Sequence, residues 1–279
     1  MDFPPVENGV DYLLIVAEHL TASQPPSPRN LKYAVLHLQA AAEVLLKARL
    51  QLEHWSLVFK DPALANRRKF EDGDFESCTT SSALTRLRQI ANITIDEKSI
   101  KAIETLSKSR NALQHYGLKT SARAVESRAA QVLDFLITFV HDQLLPELPG
   151  TEVDKVIGDL DYAGEKLRTI RSFMDTRLKR LAGELRDVRH RTLKCRECDQ
   201  WGIVVGDGNS SVSCHFCHVL WGPAETMLHS WVITEENWLG VEIDVCPDCD
   251  HQALVADYVR VAEAPEKRCT LCFFCGIKG

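Results

Sequence analysis

Nine of the ten cysteines lie between Cys195 and Cys275, leaving only Cys78 in the first 194 residues. Eight of the nine form four C-x2-C pairs: Cys195 with Cys198, Cys214 with Cys217, Cys246 with Cys249, and Cys272 with Cys275. A C-x2-C pair on a tight turn offers two sulfur ligands from one knuckle of backbone, and two pairs complete a tetrahedron around one ion. The spacing therefore predicts two structural zinc ions, the first held by Cys195, Cys198, Cys214 and Cys217, the second by Cys246, Cys249, Cys272 and Cys275. Gly276 follows the last cysteine, placed to let the chain turn. Cys269 is left over, as a substitute for Cys272 or Cys275 or as a spare thiol, and His215, His218 and His251 are further substitutes. No βαβ pattern surrounds the pairs, which argues against a thiol redox motif. A four-cysteine site leaves no open position, which argues against a catalytic metal.

The cysteine map splits the chain into two chemically different parts. With 45% apolar residues in 279, length alone allows one large core or two modest ones. No run approaches the roughly 18 consecutive apolar residues of a membrane helix, and MDFPPVENGV lacks a basic lead and a signal-type apolar run. The expectation is a protein of the cytosol without a membrane partner, a compartment in which such cysteines bind metal more readily than they cross-link. The net charge of −6 conceals an asymmetry: residues 1–165 carry 18 basic and 23 acidic side chains, 166–194 carry 10 and 3, and 195–279 carry 5 and 13. The basic segment is either a footprint for a polyanion or a solvated helix face.

The first part reads as helices. An apolar stretch over Val10–Leu20 ends at Pro25-Pro26-Ser27-Pro28. Leu31, Ala34, Val35, Leu38, Ala41, Ala42 and Leu45 keep three-four spacing in a helix that runs to about Trp55. Residues 56–80 lack periodicity and are expected to form a long irregular connection. A helix over Ser82–Ala91 follows, then one from Thr94, where Thr94-x-x-Glu97 has the form of a capping box, with its C-cap at Gly117. Another spans Ser121–Leu145. Apolar spacing from Val153 to Val188 predicts one long amphipathic helix, either a dimeric coiled coil or a strut along the bundle. Short β-rich runs, Gly202–Val205 and Val241–Val245, lie among the cysteine pairs. Trp201, Trp221, Trp231 and Trp238 supply core there, or, if exposed, a surface for a partner protein or for stacked bases.

Arg110-Asn111-x-x-x-His115 lies at the end of the helix that begins near Thr94. With the helix from Tyr33 through Glu43 and Lys47, it makes residues 8–146 resemble the HEPN family, whose hallmark is an Arg, four to six intervening residues, and then a His. The resemblance implies a dimerising helical bundle with a metal-independent ribonuclease site at the interface. Arg110 would stabilise transition-state charge on the phosphate, His115 would act as general acid or base, and Asn111 would orient His115 or hold the phosphate. Positions five apart on a straight helix are about 140° out of line, so Arg110 and His115 converge only through a distorted helix end or a second copy. Gly117 replaces a Tyr found at that position in some members, with Tyr116 adjacent instead.

The expected architecture is an all-α bundle over 1–148, a basic linking helix over 151–194, and a small β-rich zinc-ribbon-like domain over 195–279. The expected function is a homodimeric endoribonuclease acting on RNA, a toxin or phage-defence effector whose zinc domain targets it or receives an antitoxin or regulatory protein. The alternative is a non-catalytic interaction module whose zinc domain docks a partner. A third reading is a DNA-binding regulator that uses Arg177, Lys179 and Arg180.

Overall fold

The computed structural model describes residues 3–208, 210–233 and 241–278, with the backbone alone over 230–233. It divides into two compact units, Met1–Thr176 and Arg177–Gly279.

The first unit is helical. It comprises α1 (Pro5–Thr21), α2 (Pro28–Glu53), α3 (Arg67–Glu71), α4 (Thr80–Gln89), α5 (Glu97–His115), α6 (Ala122–Gln143) and α7 (Gly150–Leu167). The chain begins α8 (Arg171–Glu184) before the division. The organising element is α2, whose apolar stripe Leu31, Ala34, Val35, Leu38, Ala41, Ala42, Leu45 and Leu46 is buried, and which packs against α1, α4, α5 and α6. Each fully buried leucine contributes about 1.5–3 kcal/mol through loss of apolar surface from water. Where α1 crosses α2, a Cβ at Gly9 would lie 2.4 Å from Leu45 Cδ2, so the absent side chain lets the helices approach. Ser27 caps α2 by accepting the Asn30 N–H, and Pro28 opens it, a position where a missing amide costs nothing.

Three expectations are corrected here. The long helix expected over 151–194 is two helices: the Thr169 hydroxyl donates to Lys166 O, Ile170 turns inward, and Phe173 N and Met174 N both donate to Ile170 O, starting α8. α7 packs on α1, and beyond α8 come a 3-10 turn (Arg186–Arg191) and a strand. The capping box at Thr94 does not form, because Asp96 caps α5 by accepting from Lys98 N and Ser99 N. The stretch 56–80 is not loose. Arg86 Nη1 donates to Leu57 O and Phe59 O at 2.5 and 2.6 Å, and Phe59 stacks on Phe75 at 4.2 Å between ring centres.

The second unit holds three small antiparallel sheets. They are β1 (Thr192–Lys194) with β2 (Trp201–Val204), β3 (Ser211–Ser213) with β4 (Leu220–Pro223), and β5 (Ile243–Val245) with β6 (Gln252–Val261) and β7 (Ala264–Cys272). A short helix, α9 (Ala224–Ile233), buries Ala224, Met227 and Leu228. Part of the basic segment is engaged, while Arg171, Lys179 and Arg186 stay exposed. Arg177 is buried, with its guanidinium bonded to His218 Nε2 and lying over the Phe216 ring. Arg189 donates to Ala262 O, and Arg191 pairs with Asp207. Trp238 lies outside the described residues, as does the side chain of Trp231. Among the described residues no helix is long and apolar enough to cross a membrane.

Candidate metal centres and a polar cleft

The four C-x2-C pairs share one local geometry. The N–H of the first cysteine of each pair donates to the carbonyl five residues on, that of Gln200, Val219, His251 or Ile277, at 2.7–3.0 Å. The residue after the second cysteine donates back to the first cysteine's carbonyl, as Asp199, His218, Asp250 and Gly276 do at 2.7–2.9 Å. These four residues all have positive φ, between 58° and 75°. Gly276 enters that region without strain, while Asp and His are among the non-glycine residues most often found there. Each pair therefore sits on a tight turn that leads out of one strand and holds both sulfurs on one side.

Two turns face one another in each site. Cys195 Sγ lies 3.8 Å from Cys217 Sγ and Cys198 Sγ 3.7 Å from Cys214 Sγ; Cys246 to Cys275 and Cys249 to Cys272 measure 3.8 and 3.7 Å. Within each set all four sulfurs lie within 4.8 Å of one another. A disulfide needs about 2.05 Å. A tetrahedron of thiolates at about 2.3 Å from a central zinc has edges of about 3.8 Å, and the donor set fits it. Contact among the sulfurs drives their protonation apart. Hydrogen bonds from Cys198, Cys214 and Cys217 hold Cys195 far below the usual thiol value, whereas hydrogen bonding to Cys195 pushes Cys198 and Cys214 up. In the second set burial raises Cys272, while the Asp248 and Cys249 amides outweigh burial and lower Cys246.

Cys269 belongs to neither set. Its thiol donates to Val259 O at 3.3 Å in the β6–β7 hairpin, and burial raises it. Of the histidine substitutes, His251 stacks on Phe274 and bonds Cys249 O, and His218 bonds Arg177. None of them joins a cysteine cluster.

In the helical unit, α2, α4 and α5 enclose a cleft of about 600 Å³ lined by Gln39, Glu43, Ser77, Thr80, Ser107, Arg110 and Asn111, among others. Its floor is a closed polar network. Gln39, 4% exposed, donates to Thr80 Oγ1 at 3.0 Å and accepts from the Ser107 hydroxyl at 2.9 Å, tying α2 to α4 and α5. Lys47, on the same face of α2, donates to Glu43 at 2.5 Å and to Ser77 at 2.8 Å. Arg110 Nη1 donates to Asn111 Oδ1 at 3.0 Å and Gln114 Oε1 at 3.1 Å. His115 is not in the cleft. It is the exposed last residue of α5, makes no hydrogen bond or ring contact among the described residues, and precedes Tyr116, 81% exposed, and Gly117 at φ +84°.

The structure thus brings Arg110 and Asn111 together and leaves His115 apart within one chain. Gln39, Glu43 and Lys47 form a polar i, i+4, i+8 stripe on α2, a signal present in the sequence. Burial raises the Cys78 thiol, which is 2% exposed beside the cleft. Comparison of the chain with protein-family models, curated proteins and solved structures gives no match. What fold and sites define is a helical unit with a polar cleft, followed by a small sheet unit with two tetracysteine centres that could each hold a metal ion.

Proposed function

We propose that this protein is a homodimeric, metal-independent endoribonuclease of the HEPN type, with a second unit stapled by two structural zinc ions that targets or regulates it. The observation that carries the reading is the cleft at α5, which Arg110 and Asn111 line together with Glu43, while His115 ends the same helix with no partner among the described residues. α5 continues as a regular helix to His115, so no distortion bends the histidine toward Arg110. A second copy is then what supplies the histidine to each cleft.

In such a site Arg110 binds the scissile phosphate with two donors and offsets the extra charge of the transition state. His115 from the other copy takes the proton of the ribose 2′-hydroxyl or gives one to the leaving oxygen, work suited to an imidazole, which can both accept and donate a proton. Zinc would contribute folding free energy to the second unit and no chemistry to the cleft.

The test is induced expression of wild type beside His115→Ala in a bacterial host, followed by mapping of new RNA ends. Growth arrest with recurrent new ends in the wild type alone supports the nuclease. Identical profiles contradict it and favour the second reading, a non-catalytic interaction module, which the isolated position of His115 within one chain makes specific.

A further inference from the structure

The second unit is acidic, yet its few cations are gathered. Only five basic residues occur in 195–279. Three of them, Arg196, Arg260 and Arg268, line one cavity of about 530 Å³ together with Lys194, Trp201 and Tyr258, so that four cations face two carboxylates there, Asp199 and Glu266. That volume is in the range of ordinary ligand sites. The Cys195 turn forms one wall and the β6–β7 hairpin the other.

The hairpin carries an independent sign of a missing anion. Arg260 and Arg268 are direct cross-strand partners in the β6–β7 register. Like charges placed directly opposite destabilise a strand pair. Both side chains are exposed, and among the described residues neither pairs with a carboxylate, whereas Lys278 and Lys194 pair with Glu263 and Asp199. The Arg268 guanidinium lies over the Tyr258 ring at 4.8 Å, so cation and aromatic face the same space. Tyr258 and Arg260 are two apart on β6 and share a face.

We infer that this cleft binds single-stranded nucleic acid, with a phosphodiester between Arg260 and Arg268 and the neighbouring unpaired base stacked against Tyr258 or Trp201. A bound phosphate removes the repulsion that the hairpin otherwise carries. A stacked base uses a ring face that every base possesses, so recognition is of strand chemistry and not of sequence. A base-paired duplex offers no free ring face to these side chains. Because the Cys195 turn is a wall of the cleft, an intact first metal site is a condition of binding. The inference is independent of any cleavage by the helical unit.

The experiment measures fluorescence anisotropy of labelled ten-nucleotide oligouridylate and oligodeoxythymidylate with the full-length, metal-loaded chain. His115→Ala serves as the background, so that no probe is cut. Arg260→Ala/Arg268→Ala should weaken binding at least tenfold and lower the slope of log affinity against log salt by about 1.4, the loss of two phosphate contacts. Tyr258→Ala should weaken it roughly tenfold. Metal content of two ions per chain in each variant shows that the fold is retained. Binding of both oligonucleotides supports the shared chemistry, and binding of RNA alone supports it with an added 2′-hydroxyl contact. Unchanged affinity in the double arginine variant overturns the inference. So does equal affinity for inorganic polyphosphate of matching charge, or for an acidic phosphopeptide, since either would mean that no base is read.

Discussion

Gly206 and Gly276 meet backbone to backbone: a Cβ at Gly206 would lie 2.5 Å from Gly276 Cα. Gly206 follows the hairpin of the first tetracysteine centre, and Gly276 closes the last turn of the second. The Gly206 N–H donates to Phe273 O at 3.0 Å, and the Arg191 guanidinium holds Val205 O beside it. The two turns therefore share a seam with no room for a side chain.

Gly206→Ala should be severely destabilising, since it adds a backbone clash to a φ of +96° that L-residues rarely adopt. Strain and overpacking together cost on the order of 3 kcal/mol. Thermal melts should show the second unit's transition fall by roughly 10–20 °C. Gly183→Ala is the comparison: it lies in α8 with nothing within 4 Å, and should be neutral or stabilising.

Metal analysis of the purified chain should find two zinc ions, and Cys214→Ser should leave one. Four thiolates are required at each centre, so loss of one ligand empties that site and unfolds the sheets around it. Chelation of both ions should abolish the second unit's structure while the helical signal in circular dichroism largely persists.

Cys269→Ser should retain two ions. The thiol bonds Val259 O within the hairpin and lies outside both clusters, and serine can make the same donation. A fall to one ion would place Cys269 among the ligands.

Asp96→Ala should destabilise the helical unit by about 1 kcal/mol, because the carboxylate accepts the Lys98 and Ser99 amides at the start of α5. Burial raises its pKa, but the Ser99 hydroxyl and these amides outweigh burial and set it below the ordinary aspartate value. A depressed carboxylate contributes stability that is present above its unfolded value and lost as pH falls through the folded one. The difference between wild type and Asp96→Ala should therefore be constant near neutrality and shrink below about pH 4.

The tetracysteine centres were legible because a C-x2-C turn is a local object, and four of them paired in order leave few alternatives. The helical bundle was legible from three-four spacing, as in Leu38, Ala41, Ala42 and Leu45 on α2. The break after Leu167 was not, because Leu167, Ile170 and Met174 keep helical spacing straight through the turn. Charge counting cannot tell an engaged cation from a free one: Arg177 counts as +1 in the sequence and is buried against Phe216 and His218 in the structure, while Arg171, Lys179 and Arg186 stay exposed. The cleft was half legible. Arg110, Asn111 and His115 stand out as a motif, but the joining of Gln39 to Thr80 and Ser107 spans 41 and 68 positions, beyond what periodicity reports.

The central claim is that Arg110 of one copy works with His115 of another, and subunit mixing tests it most directly. Arg110→Ala and His115→Ala are each prepared as inactive homodimers, then mixed, unfolded, refolded together and assayed on RNA. Random pairing makes half the dimers mixed, each with one intact composite site, so the mixture should recover about a quarter of wild-type cleavage, by the statistics of symmetric dimers. A mixture as inactive as either parent, from chains that have demonstrably exchanged, contradicts the account.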